Sequence, residues 1–533
     1  MGSDLAGQPH DLVESQTSEV SHEPAVQDEE TSQARTGWRM GAEWRRWFWD
    51  AAPIAITYPI FLGALGFLNT WDFPIHVFIV ALAWGLGRWI QGRRLEAPPT
   101  SIWLDATIAL IACGLLGVVA YLPFYIGFRS QAAGIVPNLY NPTRLPQFFV
   151  MFGPWLLIGA AFILALLIRA VRQRRLTHSR AVLGSLGGAL GLVAGAALLT
   201  AAVTLVFLLV SESAQAKLDE GLAIIEAQGL SVGQMLVARL GDLWTPLLLG
   251  AAMAVIVLLL RTTARGDRQP ETDGESDAGP FTLMLFGVGA LLAFAVEFVY
   301  LLDQFGTRMN TVFKLYYQAW AIWGVAAAYA VYHLWQSSER LTSAVSRVGF
   351  AGLAAISIVA GVVYPALAIQ SGTVGRPIAP TLDASAPTRE VYAPDEAAAI
   401  DWLERNADGT AVILETEGQS YRDNTSRVSA WSGVPSVLGW VGHEGQWRGN
   451  YDDIAPRQPD IDRIYNTTDS ALALALMQKY NVVYVYVGPN EAAKYPPQGL
   501  AKFNAIMEVA FQRGNSTLYR LPEASRADTL STR

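Results

Sequence analysis

Long apolar runs that alternate with clusters of arginine constrain this chain more than any other feature. About nine such runs can be traced, at roughly 47–68, 75–91, 102–122, 147–168, 181–210, 244–260, 281–302, 315–335 and 348–369, most of them near the ~20 residues that an α-helix needs to cross a bilayer. Arg35, Arg39, Arg45 and Arg46 precede the first run, and Arg88, Arg93 and Arg94 follow the second. Arg169, Arg172, Arg174, Arg175 and Arg180 separate the fourth from the fifth. Arg261, Arg265 and Arg268 follow the sixth, and Arg340 and Arg347 separate the eighth from the ninth. With a cytosolic N-terminus all of these clusters fall on the cytosolic side, as positively charged loops do. An odd number of spans then delivers the C-terminal part to the other side. The expected fold is a polytopic α-helical membrane protein of about nine spans in the plasma membrane, with a C-terminal extracytoplasmic α/β domain.

Composition agrees. The chain is 52% hydrophobic and only 16% charged, which excludes a soluble protein built on one core. A net charge of -8 argues against a nucleic-acid partner. The single cysteine, Cys113, lies within an apolar run, so no intramolecular disulfide can brace an exported domain. Residues 1–40 read as a disordered acidic cytosolic tail, 41–370 as the transmembrane domain and 371–393 as a Pro/Ser/Thr-rich linker. Residues 394–522 read as the extracytoplasmic domain and 523–533 as a second disordered tail. The fifth run carries two glycine pairs at four-residue spacing, Gly184/Gly188 and Gly187/Gly191, a pattern of close helix packing. Ser211–Leu243 is amphipathic and suited to a membrane surface.

In the C-terminal domain, Pro394-Asp395-Glu396 opens a helix whose apolar face holds Ile400, Trp402 and Leu403. Ala411–Leu414, Arg427–Trp431, Val434–Trp440, Val482–Val487 and Ser516–Leu521 have strand character. Ser470–Tyr480 and Leu500–Val509 have helix character. Strands alternating with helices predict a small α/β domain with Val482–Val487 central and buried on both faces.

Three places carry candidate chemistry. Asp72, in the turn between the first two runs, either caps the next helix, with Pro74 in its first turn, or serves as a base or metal ligand. Between the seventh and eighth runs come Glu297, Asp303, Arg308, Asn310 and Lys314. Charges so near two spans form a packed ion-pair network or a site for an anion. In the second case Arg308 and Lys314, with Asn310 on the same helix face, bind phosphate. Glu297 or Asp303 then acts on a hydroxyl or holds a divalent metal ion. The third place is Leu438–Gly449, which brings together His443, Glu444, Trp447 and Arg448 among glycines. Such a set suits a sugar, whose ring stacks on indole while its hydroxyls need polar partners. It also suits a loop that docks on the membrane. Roofing of a cleft beside Asp72 and the Asp303–Lys314 turn is expected of it. His443-Glu444 lacks the second histidine of a zinc-protease helix, and no phosphate-binding loop, dinucleotide fingerprint or nucleophile elbow occurs.

The phrases GFLNTWDFP, EFVYLLDQFGTRMNTVFKLYYQAW, SVLGWVGHEGQWRG and NVVYVYVG resemble the "YYY" family of large integral membrane proteins, a domain family of unknown function. The naming signature of that family appears here as Tyr484-Val485-Tyr486-Val487-Gly488, with valine at the middle tyrosine position. The family in turn resembles the C-type glycosyltransferases, polytopic enzymes that use a polyprenyl-phosphate-linked sugar on the extracytoplasmic face. The resemblance implies a glycosyltransferase-like protein whose partners are membrane lipid and a polyprenyl-phosphate sugar. Acidic residues in the first outward loop do the central work in such enzymes, and Asp72 is the acid available there. Because further spans precede NTWDFP in the family, this chain resembles its C-terminal portion, one part of a split enzyme with a partner membrane subunit. A transporter or flippase of a lipid-linked or anionic substrate, and a non-catalytic scaffold, are the alternatives.

Overall fold

The computed structural model describes residues 56–94, 100–128, 134–138, 141–210, 231–263, 278–303, 307–336, 344–375, 381–422 and 424–523, with residues 215 and 229. The expected tails and most of the amphipathic 211–243 segment lie outside them. Two compact units make up the chain: Met1–Ala81 with Trp103–Gly127, and Leu82–Ile102 with Phe128–Arg533.

Among the described residues, seven helices are long and apolar enough to cross a membrane: Asp72–Ile90, Trp103–Ala120, Leu145–Arg172, His178–Val206, Trp244–Thr262, Ala278–Ala295 and Val348–Thr373. The other two expected spans coincide with a shorter apolar helix, Ile56–Leu68, and with the 28-residue helix Met309–Gln336. Lys314, Gln318 and a run of tyrosine and tryptophan make the latter less apolar.

In the first unit the helix α1 (Ile56–Leu68) packs through small residues. A Cβ at Gly63 would overlap the Gly117 carbonyl and the Tyr121 ring, and one at Gly117 would overlap Phe73. The ring of Phe67 lies 5.3 Å from that of Phe124.

The second unit contains the packed helices α2 (Leu145–Arg172), α3 (His178–Val210), α4 (Trp244–Thr263), α5 (Ala278–Ala295) and α6 (Met309–Gln336). Aromatic rings fill its centre. Phe148, Phe152 and Phe162 of α2 are fully buried, and Phe152 meets Trp323 of α6 at 5.1 Å. The Trp323 indole donates to the Phe286 carbonyl at 3.0 Å, across the face where Gly289 has no side chain to obstruct it. Of the two glycine pairs on α3, Gly184/Gly188 meets Leu258 and Ala254 of α4, whereas a Cβ on Gly187 or Gly191 would meet nothing within 4 Å among the described residues.

The seventh apolar run does not end as a helix. After Ala295 the chain turns, and β2 (Val299–Leu302) pairs antiparallel with β1 (Gly134–Pro137). A uniformly apolar run does not distinguish helix from strand. Here the turn at Glu297 and the edge offered by β1 decide for strand.

The C-terminal domain has a four-stranded sheet in the order β3-β4-β6-β5. β3 (Val412–Leu414) and β4 (Val482–Val487) are parallel, and β6 (Ser516–Arg520) runs antiparallel to both β4 and β5 (Glu508–Arg513). β4 is central and buried on both faces. Tyr484 and Tyr486 pack with Ile400 and Leu403 of α7 (Pro394–Asn406). Val485 packs with Ile461, Ile464 and Met477 on the opposite face. The helix α8 (Ser470–Lys479) starts at Asp469, whose carboxylate accepts from the Ala471 and Leu472 amides.

Three local expectations are corrected. Arg427–Trp431, expected as a strand, forms the helix α9 (Arg427–Ser432). The buried Glu415 carboxylate accepts its Val428 and Ser429 amides at 3.2 and 3.0 Å, which satisfies amides that a helix start leaves unpaired. Val434–Trp440 is extended but joins the sheet only at Ser436, opposite Ile413. Leu500–Val509 is not one helix. Two short turns, Pro497–Ala501 and Phe503–Ile506, give way to β5, which hairpins to β6 through Gly514 at φ 50°.

Candidate functional site

The charged stretch after α5 folds around Glu297, whose side chain is 0% exposed. One carboxylate oxygen accepts from Arg308 Nη1 at 3.0 Å. The other accepts from the Thr143 backbone N–H at 3.0 Å and from Arg239 Nη1 at 3.4 Å. Arg239 also donates to the Glu297 carbonyl. Arg308 donates to the Val296 carbonyl at 3.0 Å and to Thr143 Oγ1 at 3.1 Å. The Thr143 hydroxyl meets the Tyr316 hydroxyl at 2.9 Å, and its carbonyl accepts from Thr245 at 2.7 Å. Asn138 donates to the carbonyls of Val296 and Glu297 at 3.3 and 3.2 Å. A buried carboxylate is costly unless paired and fully hydrogen-bonded, and here two guanidiniums and the Thr143 amide donate to it. The knot holds two guanidiniums against one carboxylate. Arg239, Thr143 and Asn138 lie far from Glu297 in sequence, and no local signal connects them to it.

Asp303 and Asn310 lie beside this knot in sequence, and the Asn310 amide donates to Asp303 Oδ2 at 2.9 Å. Lys314 is half-buried, with its ammonium 5.6 Å from the Phe313 ring centre. In the first unit Asp72 opens its helix and accepts from the Asn69 side chain at 2.9 Å. Its backbone carbonyl meets His76 Nδ1 at 2.9 Å. A carboxylate in a first turn is favoured by the helix dipole.

The third set is a helix rather than a loop. α10 (Val441–Arg448) follows Pro435–Val437, which runs parallel to β3 through hydrogen bonds on either side of Ile413. It ends at Gly449, whose φ of 77° is the left-handed conformation that favours glycine. Glu444 is held by the Gly439 amide at 2.6 Å and receives Arg448 Nε and Nη2 at 3.1 and 3.0 Å. The Trp447 indole N–H donates to His443 Nε2 at 2.6 Å, which requires Nε2 to be unprotonated. The indole is nevertheless 65% exposed. Tyr421 lies 5.6 Å from the His443 ring and 5.5 Å from the Trp440 ring, and its hydroxyl donates to Gln446 at 3.1 Å. These residues sit after the carboxyl ends of parallel segments, where open α/β sheets bind ligands.

A groove of about 390 Å³ is lined by Pro435, Ser436, His443, Glu444, Trp447, Arg448 and Arg457. All four C-terminal residues selected from the sequence line it. No lining residue comes from the Asp303–Lys314 turn. Arg457 and Ser436 were missed, having no motif around them. Glu415 and Glu417, which follow β3, have other duties: Glu415 starts α9, and Glu417 pairs with Lys494 at 2.7 Å. Glu491, at the end of β4, accepts from the Thr416 and Gly488 amides at 2.9 Å each. Burial pushes its pKa up to about 7 in spite of those bonds. Among the described residues no group of three or more His, Cys, Asp or Glu side chains is arranged to hold a metal ion.

No curated protein matches this chain. A family model does, over residues 30–323, a span that includes Asp72 and the whole Glu297–Lys314 stretch and ends before the groove. The matched span exceeds half of the sequence, and the chain belongs to the family described as Uncharacterized membrane protein (DUF2298).

Proposed function

We propose that this membrane protein is glycosyltransferase-like and acts on the extracytoplasmic face with a lipid-phosphate-linked sugar, its C-terminal domain holding a sugar in the α10 groove. The observation that carries the reading is the exposed Trp447 indole. It is fixed by its bond to His443 and flanked by the Arg448–Glu444 pair inside a groove. A rigid aromatic face beside a planar donor and a carboxylate acceptor offers stacking and hydroxyl recognition together. In this proposal Asp72 and Asp303 are the acids available for chemistry. Asn310 and Lys314 face the lipid phosphate, while Arg308, its terminal nitrogens held by Glu297, Val296 and Thr143, braces the turn that carries them. Glu297, with both carboxylate oxygens taken by cations and an amide, anchors Arg308. The arginine clusters support a cytosolic N-terminus and an exported C-terminal domain.

The test is retention of a polyprenyl-phosphate hexose by the purified protein in micelles. Trp447→Ala and Arg448→Ala are each expected to weaken retention about tenfold, or roughly 1.4 kcal/mol, with the thermal midpoint unchanged. Equal retention by both variants and the parent chain would sink the assignment.

A further inference from the structure

The lining of the α10 groove is not electrically neutral. Arg448 is balanced by Glu444, whose other oxygen is held by the Gly439 amide. Arg457 is not balanced. Its Nη1 donates to the Val437 carbonyl at 2.8 Å and its Nε to the Asp453 carbonyl at 2.9 Å. Neutral backbone acceptors fix the plane of a guanidinium and cancel none of its charge. The guanidinium carbon lies 5.7 Å from the Tyr480 ring centre. Asp460, which accepts from the Tyr480 hydroxyl at 2.7 Å, is itself neutralised by Lys479 at 2.7 Å. Among the described residues Arg457 has no carboxylate within ion-pair distance, and no other carboxylate besides Glu444 lines the groove. Two guanidiniums and one carboxylate leave one unit of positive charge on a groove wall that also carries the Trp447 face.

We propose that this groove takes a sugar bearing a single anionic substituent, a uronate or a phosphate, with the charge received by the free edge of the Arg457 guanidinium and the ring stacked on Trp447. The inference rests on the reading of the groove as a sugar site. A guanidinium whose plane is already fixed presents its remaining N–H groups as a fork matched to carboxylate or phosphate. Holding that plane with backbone carbonyls removes the ordering cost that a free arginine would bear on binding.

The experiment titrates the full-length protein in micelles with glucose, glucuronate and glucose 6-phosphate. It follows binding by saturation-transfer NMR and folding by thermal midpoint. One of the two anionic sugars is expected to bind about tenfold or more tightly than glucose, and which one does so identifies the anion. Arg457→Gln should bring the affinity for the anionic sugar down to that for glucose, while Arg457→Lys should keep part of the difference. Equal affinity for all three sugars overturns the anionic subsite but leaves the sugar groove standing. Loss of glucose binding and of the thermal midpoint in Arg457→Gln marks Arg457 as a structural brace and also overturns the subsite. Failure of the parent chain to bind any of the three removes the sugar groove itself, and the subsite with it.

Discussion

The same pair of side chains, arginine and glutamate, appears in the membrane-helix region and in the C-terminal domain with opposite surroundings. Arg308 and Glu297 are 11% and 0% exposed, and Arg448 and Glu444 are 43% and 25% exposed. The first pair is enclosed by Thr143, Tyr316, Asn138 and Arg239, and each donor is directed at a carbonyl, a hydroxyl or the carboxylate. The second is a neighbouring pair on one helix turn, open to water and to whatever enters the groove. Burial therefore separates two uses of one chemistry. An enclosed pair ties α5, α6 and the Thr143 segment together. An exposed pair holds little structure and keeps its hydrogen-bonding capacity for a ligand.

The largest expected effect follows from removing one enclosed partner. Arg308→Ala leaves the Glu297 carboxylate short of a cation and should cost about 3–5 kcal/mol of stability, measured as loss of the folded fraction on thermal or denaturant titration in micelles. A cost below about 1 kcal/mol would mean that water screens the pair, and the contrast between the two regions would collapse.

Adding one methyl group to each region sharpens the comparison. A Cβ at Gly289 would overlap the Trp323 indole, which is 3% exposed and has no room to retreat. Gly289→Ala should destabilise by about 1–3 kcal/mol. At Gly445 the Cβ would meet the Tyr451 ring. That ring is 48% exposed and can swing outward, while the helix gains from alanine, so the net change should stay within about 1 kcal/mol. Equal losses at the two sites would indicate that the groove helix is packed as tightly as the membrane core.

Buried carboxylates extend the contrast. Glu297 faces two guanidiniums, whereas Glu491 accepts from the Thr416 and Gly488 amides, and burial pushes its pKa up to about 7 in spite of them. Its folded pKa lies above its ordinary value of 4.5. Between these values the folded domain holds a proton that the unfolded chain has released. The associated stability is complete below about pH 4.5 and is lost as the pH rises through about 7. Burial also raises the pKa of Glu415, in the same direction. Thermal midpoints across this range should decline with pH, and Glu491→Gln should flatten the decline without abolishing it. An unchanged slope in the variant would assign the pH dependence elsewhere.

The smallest effect on folding belongs to the groove surface. Trp447→Ala should change stability by less than about 0.5 kcal/mol, because the residue is 65% exposed and its one hydrogen bond is to a half-buried histidine. A loss of several kcal/mol would place Trp447 with Glu297, as structure, and would contradict its assignment to a ligand.

Sequence by itself determined the elements whose periodicity or length leaves no choice. Seven apolar runs became helices of spanning length, because a long unbroken apolar run has few other ways to satisfy its backbone. Pro394–Asn406, Ser470–Lys479 and the central strand Val482–Val487 were legible from caps, facing apolar residues and β-branched composition. Glu297 and Arg308 lie eleven residues apart, so an ion-pair network was one of the two arrangements the sequence allowed, beside an anion site. The tertiary structure alone decided what depends on remote partners. Arg239 and Thr143 reach Glu297 from 58 and 154 residues away, and no local signal connects them. Arg427–Ser432 became a helix because Glu415 from another segment satisfied its first amides. Glycine-rich Val441–Arg448 became one with Glu444 tied back to Gly439 and the Gly442 amide held by Ser420 at 2.9 Å. Arg457 entered the groove by the same route, through hydrogen bonds to carbonyls that only the folded chain brings within reach.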